Sequence, residues 1–310
     1  MKIDIFSHIL PEKYLTAILK KAPRLANSKA ICNRSATDLQ TRFKVMNRYP
    51  EVVQVLTVSP PPLEEIASPG EAAELARIAN DEIAELLVKY PDKFVAAVAC
   101  LPLNDIDAAL KEADRAIIQL GLKGIQLFAR MDGEQLDDPK FKPLYSKMAE
   151  YDLPIWIHPV SDSKNDESVF GWPFATTNSM RRLVISGVFN DYPNIKFITH
   201  HCGAMAPYFA GRINWLFPLG FKMGHPGRNW GAHFRKFYND TATYGVTSAL
   251  MCGYDFFGAE RLLFGSDAPY GPGSGLTLET IESIERMQIP AEDKERIFSR
   301  NAIQLLRIAT

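Results

Sequence analysis

The sequence lacks the features that mark secreted, membrane-embedded and nucleic-acid-binding proteins. Its four cysteines, Cys32, Cys100, Cys202 and Cys252, form no CxxC pair, which favours reduced thiols and a cytoplasmic protein. No apolar run reaches the ~18 residues of a transmembrane helix, and we expect no signal peptide because the start lacks an apolar segment. The 35 basic and 36 acidic side chains nearly cancel, so we expect no nucleic-acid or membrane partner.

The sequence also lacks a G-x-G-x-x-G turn after its first strand, which argues against a doubly wound open sheet. Instead, short and continuously apolar runs alternate with helical segments, as is typical of parallel strands buried on both faces. Strands are predicted at 2–6, 52–58, 94–101, 124–128, 155–158, 196–200, 236–240 and 261–265. Helices are predicted after Pro11 and at 72–90, 105–121, 141–152, 206–217, 245–256, 277–287 and 291–306.

Eight strands, each followed by at least one helix, predict an α/β fold of the (β/α)8 TIM-barrel type. No linker divides the chain, so we expect a single domain over residues 1–310. The polar stretch 161–173 and the glycine-rich stretch 218–233 are predicted to be loops inserted at the C-terminal face of the barrel. Active sites of such barrels lie on that face.

Polar side chains gather where the predicted strands end. Four of the six histidines lie there, together with two aspartates: His8, His158, His200, His201, Asp240 and Asp267. Imidazole and carboxylate groups suit a divalent metal ion, and a catalytic site needs about three protein ligands. We therefore predict that His8, His158 and Asp267 bind the metal, that Asp267 also accepts a proton, and that His201 is a general acid or base.

Each of these residues also has a purely structural interpretation. A single histidine at a strand end is more often a hydrogen-bonded structural residue than a ligand. Asp267, which precedes Ala268-Pro269, could cap a turn. The joint placement on several strands favours the metal site over these separate explanations.

One expected ligand is absent. The first strand ends in Phe6-Ser7-His8, where many metal-dependent barrel enzymes carry His-x-His. Loss of one ligand would weaken metal binding, by ~10–100-fold or more, although three ligands can still hold a catalytic metal. Two alternatives stay open: a metal site with a reduced ligand set, or a barrel without metal.

Several segments resemble the amidohydrolase superfamily, in the branch that contains aminocarboxymuconate semialdehyde decarboxylase. They include DIFSHILP (4–11), IWIHP (155–159), GVFNDYPNIKFITHHCGAMAPYFAGRI (187–213) and LLFGSDAPY (262–270), and the resemblance extends over nearly the whole chain. It implies a TIM barrel with one divalent metal ion, zinc first and manganese, iron or cobalt as alternatives.

The resemblance also implies roles for individual residues. The His-x-His pair of the family aligns with Phe6 and His8, and its catalytic histidine aligns with His201 rather than His200. Arg212 aligns with an arginine that reaches the substrate carboxylate in a neighbouring subunit, which implies a homodimer. The remaining implied residues are the metal ligands His158 and Asp267 and the substrate contacts Trp172 and Arg34.

Three functions follow from these observations. The first is a metal-dependent lyase that decarboxylates a small aromatic or enol-type carboxylic acid. The second is a metal-dependent hydrolase or hydratase that acts on a small cyclic amide, lactone or ketone. The third is a metal-free, non-catalytic barrel that binds a small acid or a partner protein. The joint presence of His8, His158, His201 and Asp267 argues against the third.

Overall fold

The structure of the chain is a computed structural model, and it describes residues 1–131, 133–160, 168–217, 230–272 and 275–308. Its strands are short and mostly buried. They are β1 (Lys2–Ile9), β2 (Val52–Val58), β3 (Phe94–Ala97), β4 (Ile125–Phe128), β5 (Arg130–Met131), β6 (Glu134–Gln135), β7 (Ile155–His158), β8 (Phe197–Thr199) and β9 (Tyr238–Asn239).

The parallel strands form two sheets, in the orders β1-β2-β3 and β4-β7-β8-β9. Single parallel bridges join these sheets into a ring. Ala99 pairs with Ile125, Asn239 pairs with Leu262, and Ala268 pairs with Ser7 of β1. The segment 262–268 therefore takes the eighth position, and the chain folds as the predicted (β/α)8 barrel. The antiparallel pair β5-β6 lies outside the ring.

Helices follow the strands around the barrel. They are α1 (Glu12–Lys21), α2 (Lys29–Cys32), α3 (Arg34–Thr37), α4 (Leu39–Met46), α5 (Pro69–Lys89), α6 (Ile106–Asp114), α7 (Lys142–Tyr151), α8 (Gly171–Ser186), α9 (Val188–Asp191), α10 (Ala210–Leu216), α11 (Trp230–Phe234), α12 (Thr247–Phe257), α13 (Thr277–Glu285), α14 (Ala291–Glu295) and α15 (Asn301–Leu306). No helix in the described ranges is both long and apolar enough to cross a membrane.

Side-chain caps explain where two of these helices begin. Asp38 accepts hydrogen bonds from the backbone N–H groups of Gln40 and Thr41 at the start of α4. Asp105 does the same for Ala108 at the start of α6. Both aspartates satisfy backbone donors that have no partner within the helix.

Two differences from the predicted elements have clear physical causes. Residues 261–265 form no regular strand, because their ladder is reduced to the Leu262 bridge and the hydrogen bond from Ile5 N to Phe264 O. Helix α8 was not predicted, because its buried face includes Thr176 and Ser179 beside Met180, so its apolar period is weak. Of the predicted loops 161–173 and 218–233, residues 161–167 and 218–229 lie outside the described residues. The loop prediction is wrong for 171–173, which begin α8, and for 230–233, which belong to α11.

Apolar packing holds the ring closed. A large cluster of buried residues fills the layer between the strands and the helices. A second cluster includes Phe6, Trp156 and Leu263 and extends to α15. The indole N–H of Trp156 donates a 3.0 Å hydrogen bond to the carbonyl of Ile5, which ties β7 to β1. This rigid base carries the C-terminal ends of the strands, where the polar residues lie.

Candidate active site

The predicted ligands lie together at the C-terminal ends of the strands. His8 belongs to β1, His158 ends β7, and Asp267 lies in the segment that closes the ring. All three are buried, with at most 5% of their surface exposed. Nε2 of His8 is 3.1 Å from Oδ1 of Asp267. The fold thus brings together three residues that are far apart in the sequence.

A third buried histidine completes this group. One ring nitrogen each from His8, His158 and His200 lies within 4.8 Å of the others, and together they could hold a metal ion. Nε2 of His200 is 3.9 Å from Oδ1 of Asp267. His200 was predicted to lie at a strand end but had no predicted role. We refer to His8, His158, His200 and Asp267 as the histidine cluster.

Outer partners orient the rings of His158 and His8. Nδ1 of His158 is 2.6 Å from the carbonyl oxygen of Pro159, so Nδ1–H donates to that oxygen and Nε2 keeps its lone pair. Nδ1 of His8 is 3.0 Å from the hydroxyl of Thr57, which can donate or accept. Such partners commonly set the tautomer of metal-binding histidines.

His200 has a carboxylate beside it. Its Nδ1 lies 2.5 Å from Oδ2 of Asp240, but the ring is not aligned for a hydrogen bond, and neither ring nitrogen has such a partner among the described residues. The other oxygen of Asp240 accepts from the backbone N–H groups of Cys202 and Ala242. Asp240 is therefore fixed in place, whereas the imidazole beside it is left unsatisfied.

Burial and nearby charges set the protonation of the cluster. Burial, followed by the charges of the neighbouring histidines, holds the pKa of His158 well below its ordinary value. Burial also holds the pKa of His200 low. Burial alone would raise the pKa of Asp267, but the hydrogen bond from His8 and the interactions with the surrounding histidines outweigh burial and lower that pKa. The cluster consequently combines neutral imidazoles at His158 and His200 with an ionised carboxylate at Asp267.

Phe6 lies directly against His200. The two ring centroids are 3.4 Å apart with the planes tilted by 32°, and Phe6 is completely buried. Its ring is farther from His8, at 5.6 Å, and from His158, at 6.4 Å. Phe6 is therefore an apolar wall of the cluster and has no atom that can bind a metal.

His201 and Trp172 border the same space. His201 stacks on His200 at 4.8 Å between ring centroids, and Trp172 stacks on His201 at 6.3 Å. Trp172 also meets the ring of His158 edge-on at 5.8 Å. The predicted substrate contact Trp172 and the predicted acid or base His201 are thus both beside the cluster.

A turn of unusual backbone makes this arrangement possible. His201 and Cys202 have φ values of 57° and 55°, and Gly203 follows at 71°. A Cβ at position 203 would lie 2.8 Å from Oδ1 of Asn239, so glycine is needed there. Adjacent residues of a regular strand point to opposite faces, but this turn keeps both histidines beside the site.

Two tyrosines were not predicted as site residues. The ring of Tyr270 lies 5.4 Å from that of His8, and its hydroxyl hydrogen-bonds to Ser59. Tyr244 lies 6.4 Å from His201. Burial and the charge of Asp267 raise the pKa of both hydroxyls to about 12, so both are neutral donors. The sequence does not single out either tyrosine as a site residue, because Tyr244 lies in the loop after β9 and Tyr270 lies in the loop after the segment 262–268.

The two predicted arginines lie elsewhere on this chain. Arg212 is exposed on α10 and lines an apolar groove with Arg181 and Phe209. Arg34 is exposed on α3 and lines a different groove with Lys44. Neither groove contains a residue of the histidine cluster. Within one chain, the structure does not bring these arginines to the site.

The donor set fits a divalent metal ion. Three imidazoles and one carboxylate converge from four positions of the ring, and the nitrogens of His200 are buried without a hydrogen-bond partner among the described residues. Nitrogen and carboxylate ligands suit zinc, manganese, iron or cobalt. The fold and the site together define a (β/α)8 barrel whose histidine cluster could hold a divalent metal ion.

Sequence comparison identifies the family within this class. The family model described as amidohydrolase matches residues 33–308, so the chain belongs to that family. It is 27% identical over 333 residues to 2-amino-3-carboxymuconate-6-semialdehyde decarboxylase of Dictyostelium discoideum, covering 99% of this chain and 91% of the relative. It is 28% identical over 289 residues to gamma-resorcylate decarboxylase of Rhizobium sp. (strain MTP-10005), covering 84% and 87%.

A solved structure shares the fold. Dihydroxybenzoic acid decarboxylase from Polaromonas sp. JS666, with bound manganese and the inhibitor 2-nitroresorcinol, superposes with a TM-score of 0.83 at 24% identity. The match covers 99% of this chain and 96% of that chain. This likeness supports the barrel architecture.

Proposed function

We propose that this protein is a metal-dependent carboxy-lyase that decarboxylates a small hydroxylated aromatic or enol-type carboxylic acid without oxidation. The observation that carries the proposal is the ionised, buried carboxylate of Asp267, held 3.1 Å from His8 beside two further histidines. Both sequence relatives described above are decarboxylases. The substrate class follows from the chemistry of such a site.

His8, His158 and Asp267 are the residues that we propose to hold the metal, with zinc as the first choice. A bound divalent ion supplies Lewis acidity that neutralises the negative charge of a carboxylate and a neighbouring oxygen. The carbonyl of Pro159 keeps Nε2 of His158 unprotonated, so this ring can donate a lone pair without losing a proton first.

Asp267 is suited to carry a proton between two atoms of the substrate. Because its pKa is lowered, it is ionised before the substrate binds. It accepts the proton of a substrate hydroxyl, and it then returns that proton to the ring carbon that bears the carboxylate. The carbon–carboxylate bond then breaks and CO2 leaves. The electron pair of that bond stays with the ring and restores its aromaticity. His201 is placed to deliver the proton in the same way.

Aromatic side chains favour a planar substrate. Phe6, Trp172 and Tyr270 surround the rings of the cluster at centroid distances between 3.4 and 5.8 Å. Stacked and edge-on aromatic contacts contribute about 0.5–1.5 kcal/mol each. They also exclude water, which would strengthen the electrostatic interaction between Asp267 and a bound divalent metal ion.

A homodimer and a cytoplasmic location belong to the same proposal. Arg212 is exposed on its own chain, where a guanidinium group is available to a substrate carboxylate bound in a second copy. Arg34 is a second candidate for such a contact. The four cysteines are free thiols, which suits a reducing compartment.

Product analysis tests the proposed reaction. Metal-loaded protein is incubated with a panel of mono- and dihydroxybenzoic acids in deuterated water, and CO2 and the aromatic product are measured. We expect stoichiometric CO2 and one deuterium at the carbon that carried the carboxylate. Ring opening or addition of water without CO2, measured with lactones and cyclic ketones, would instead establish the hydrolase or hydratase alternative.

A further inference from the structure

Phe6 stands where a metal-binding histidine was expected, and the imidazole of His200 lies directly beside it. Phe6 contacts His200 more closely than it contacts His8 or His158. The phenyl ring covers one face of the imidazole and leaves its edge directed toward Asp267, where Nε2 lies 3.9 Å from Oδ1. Nε2 of His8 is 3.1 Å from the same oxygen. Two imidazole nitrogens therefore approach one carboxylate oxygen from different strands.

His200 is also an unusual buried side chain. It is 1% exposed, and neither ring nitrogen has a hydrogen-bond partner in the described part of the chain. A buried polar group without a partner costs about 1–3 kcal/mol. Such a cost is expected where a side chain is positioned for a ligand instead of for the fold.

Asp240 can set the tautomer that a ligand needs. Its Oδ2 lies 2.5 Å from Nδ1 of His200, and its Oδ1 is held by two backbone N–H groups. A small rotation of the imidazole brings Nδ1–H into a hydrogen bond with Oδ2. Nε2 then presents its lone pair to the cluster, as Nε2 of His158 does through Pro159.

We propose that His200 supplies the metal-binding imidazole that Phe6 cannot supply, so that His8, His158, His200 and Asp267 form the ligand set. The inference rests on the proposed function only in assuming that a metal binds at this cluster. Phe6 orients His200 by packing on its face, and Asp240 holds it from behind. His201 is not a ligand in this arrangement and stays available for proton transfer.

Metal affinity measured without substrate tests this inference. Zinc and cobalt binding are titrated against a chromophoric chelator for the wild type and for His200→Asn, Phe6→His and the double variant, with His201→Asn as the adjacent-histidine control. We expect one metal per wild-type chain and about 10–100-fold weaker binding in His200→Asn. Phe6→His in the His200→Asn background should restore binding, which would show that the loss in His200→Asn comes from the missing imidazole. His201→Asn should bind as tightly as the wild type.

Cobalt absorption gives a second readout. Loss of one imidazole should shift the visible bands in His200→Asn but not in His201→Asn. Equal affinity and equal spectra in the wild type and His200→Asn would overturn the inference. One metal per chain in Phe6→His together with none in the wild type would also overturn it. Failure of every variant to bind metal would overturn it together with the metal-dependent function. Metal binding through His200 without CO2 release would contradict only the proposed decarboxylation.

Discussion

Nε2 of His8 lies 3.1 Å from Oδ1 of Asp267, although 259 positions separate the two residues in the chain. The contact exists because the segment 262–268 pairs with β1 and closes the ring: His8 N donates to Ala268 O at 2.6 Å, and Ser7 bridges Ala268. The contacts that close the barrel are thus the contacts that bring His8 and Asp267 together. A change that opens this seam should disturb the site before it unfolds the outer helices.

Replacement of Asp267 by asparagine should abolish turnover. The amide is close in size to the carboxylate, but it cannot accept a proton from the substrate or deliver one to carbon. General acid–base groups typically contribute about 10²–10⁴-fold to the rate, and we expect a loss of kcat in that range for CO2 release. Glutamate at this position is the matched control for charge. A kcat of Asp267→Asn within a few fold of the wild-type value would contradict the proposed proton transfer.

Trp172 should affect substrate affinity more than the chemical step. Its ring meets His158 edge-on and stacks on His201, so it can contact a planar substrate without exchanging a proton. For Trp172→Ala we expect KM to rise by about 3–10-fold, from the loss of one aromatic contact, with a smaller change in kcat. Trp172→Phe should keep most of the affinity. A large fall in kcat with unchanged KM would assign Trp172 a different role.

Much of the fold was predictable because parallel strands leave a strong sequence signal. Seven of the predicted strand positions carry regular strands, and the eighth, 261–265, lies in the segment that closes the ring. Continuous apolar runs between helices are sufficient to predict such an arrangement. The convergence of His8, His158 and Asp267 follows from it, since all strand ends of a parallel barrel meet on one face.

The contribution of His200 could not be predicted in this way. In a regular strand only one of two adjacent residues faces the site, and the left-handed backbone of His201 and Cys202 departs from that rule. Such a turn depends on the close approach of Gly203 to Asn239, which is a tertiary contact. Helix α8 was missed for a related reason, because threonine and serine on its buried face are hydrogen-bonded or packed rather than apolar.

Asp4 should make stability depend on pH below neutrality. Its carboxyl group accepts hydrogen bonds from the backbone N–H of Phe6 and from Ser266, yet complete burial raises its pKa from 3.8 to about 6. Between these values the unfolded chain releases the proton and the folded chain keeps it. The contribution of Asp4 to stability is therefore fully present below pH 3.8 and is lost as pH rises to about 6. The shift corresponds to about 3 kcal/mol.

The variant Asp4→Asn isolates this effect. Its amide can keep the hydrogen bonds but cannot ionise. The Tm of the wild type should therefore exceed that of the variant by the largest amount at pH 4. That difference should fall as pH rises to 6 and stay constant above it. Asp92→Asn, at a side chain that is 71% exposed, is the control for a general charge effect. A difference in Tm that is independent of pH would show that folding does not raise the pKa of Asp4.

Mixed dimers should reveal whether Arg212 acts in the neighbouring subunit. Arg212 is exposed and lies outside the cluster of its own chain, so we expect Arg212→Ala and Asp267→Asn to be inactive separately. After the two inactive variants are unfolded and refolded together, half of the symmetric pairs should be mixed. In a mixed pair, the Arg212→Ala chain keeps Asp267 and receives Arg212 from its partner. Activity should then return to roughly one quarter of wild type, whereas an arginine that serves its own chain would leave every mixture inactive.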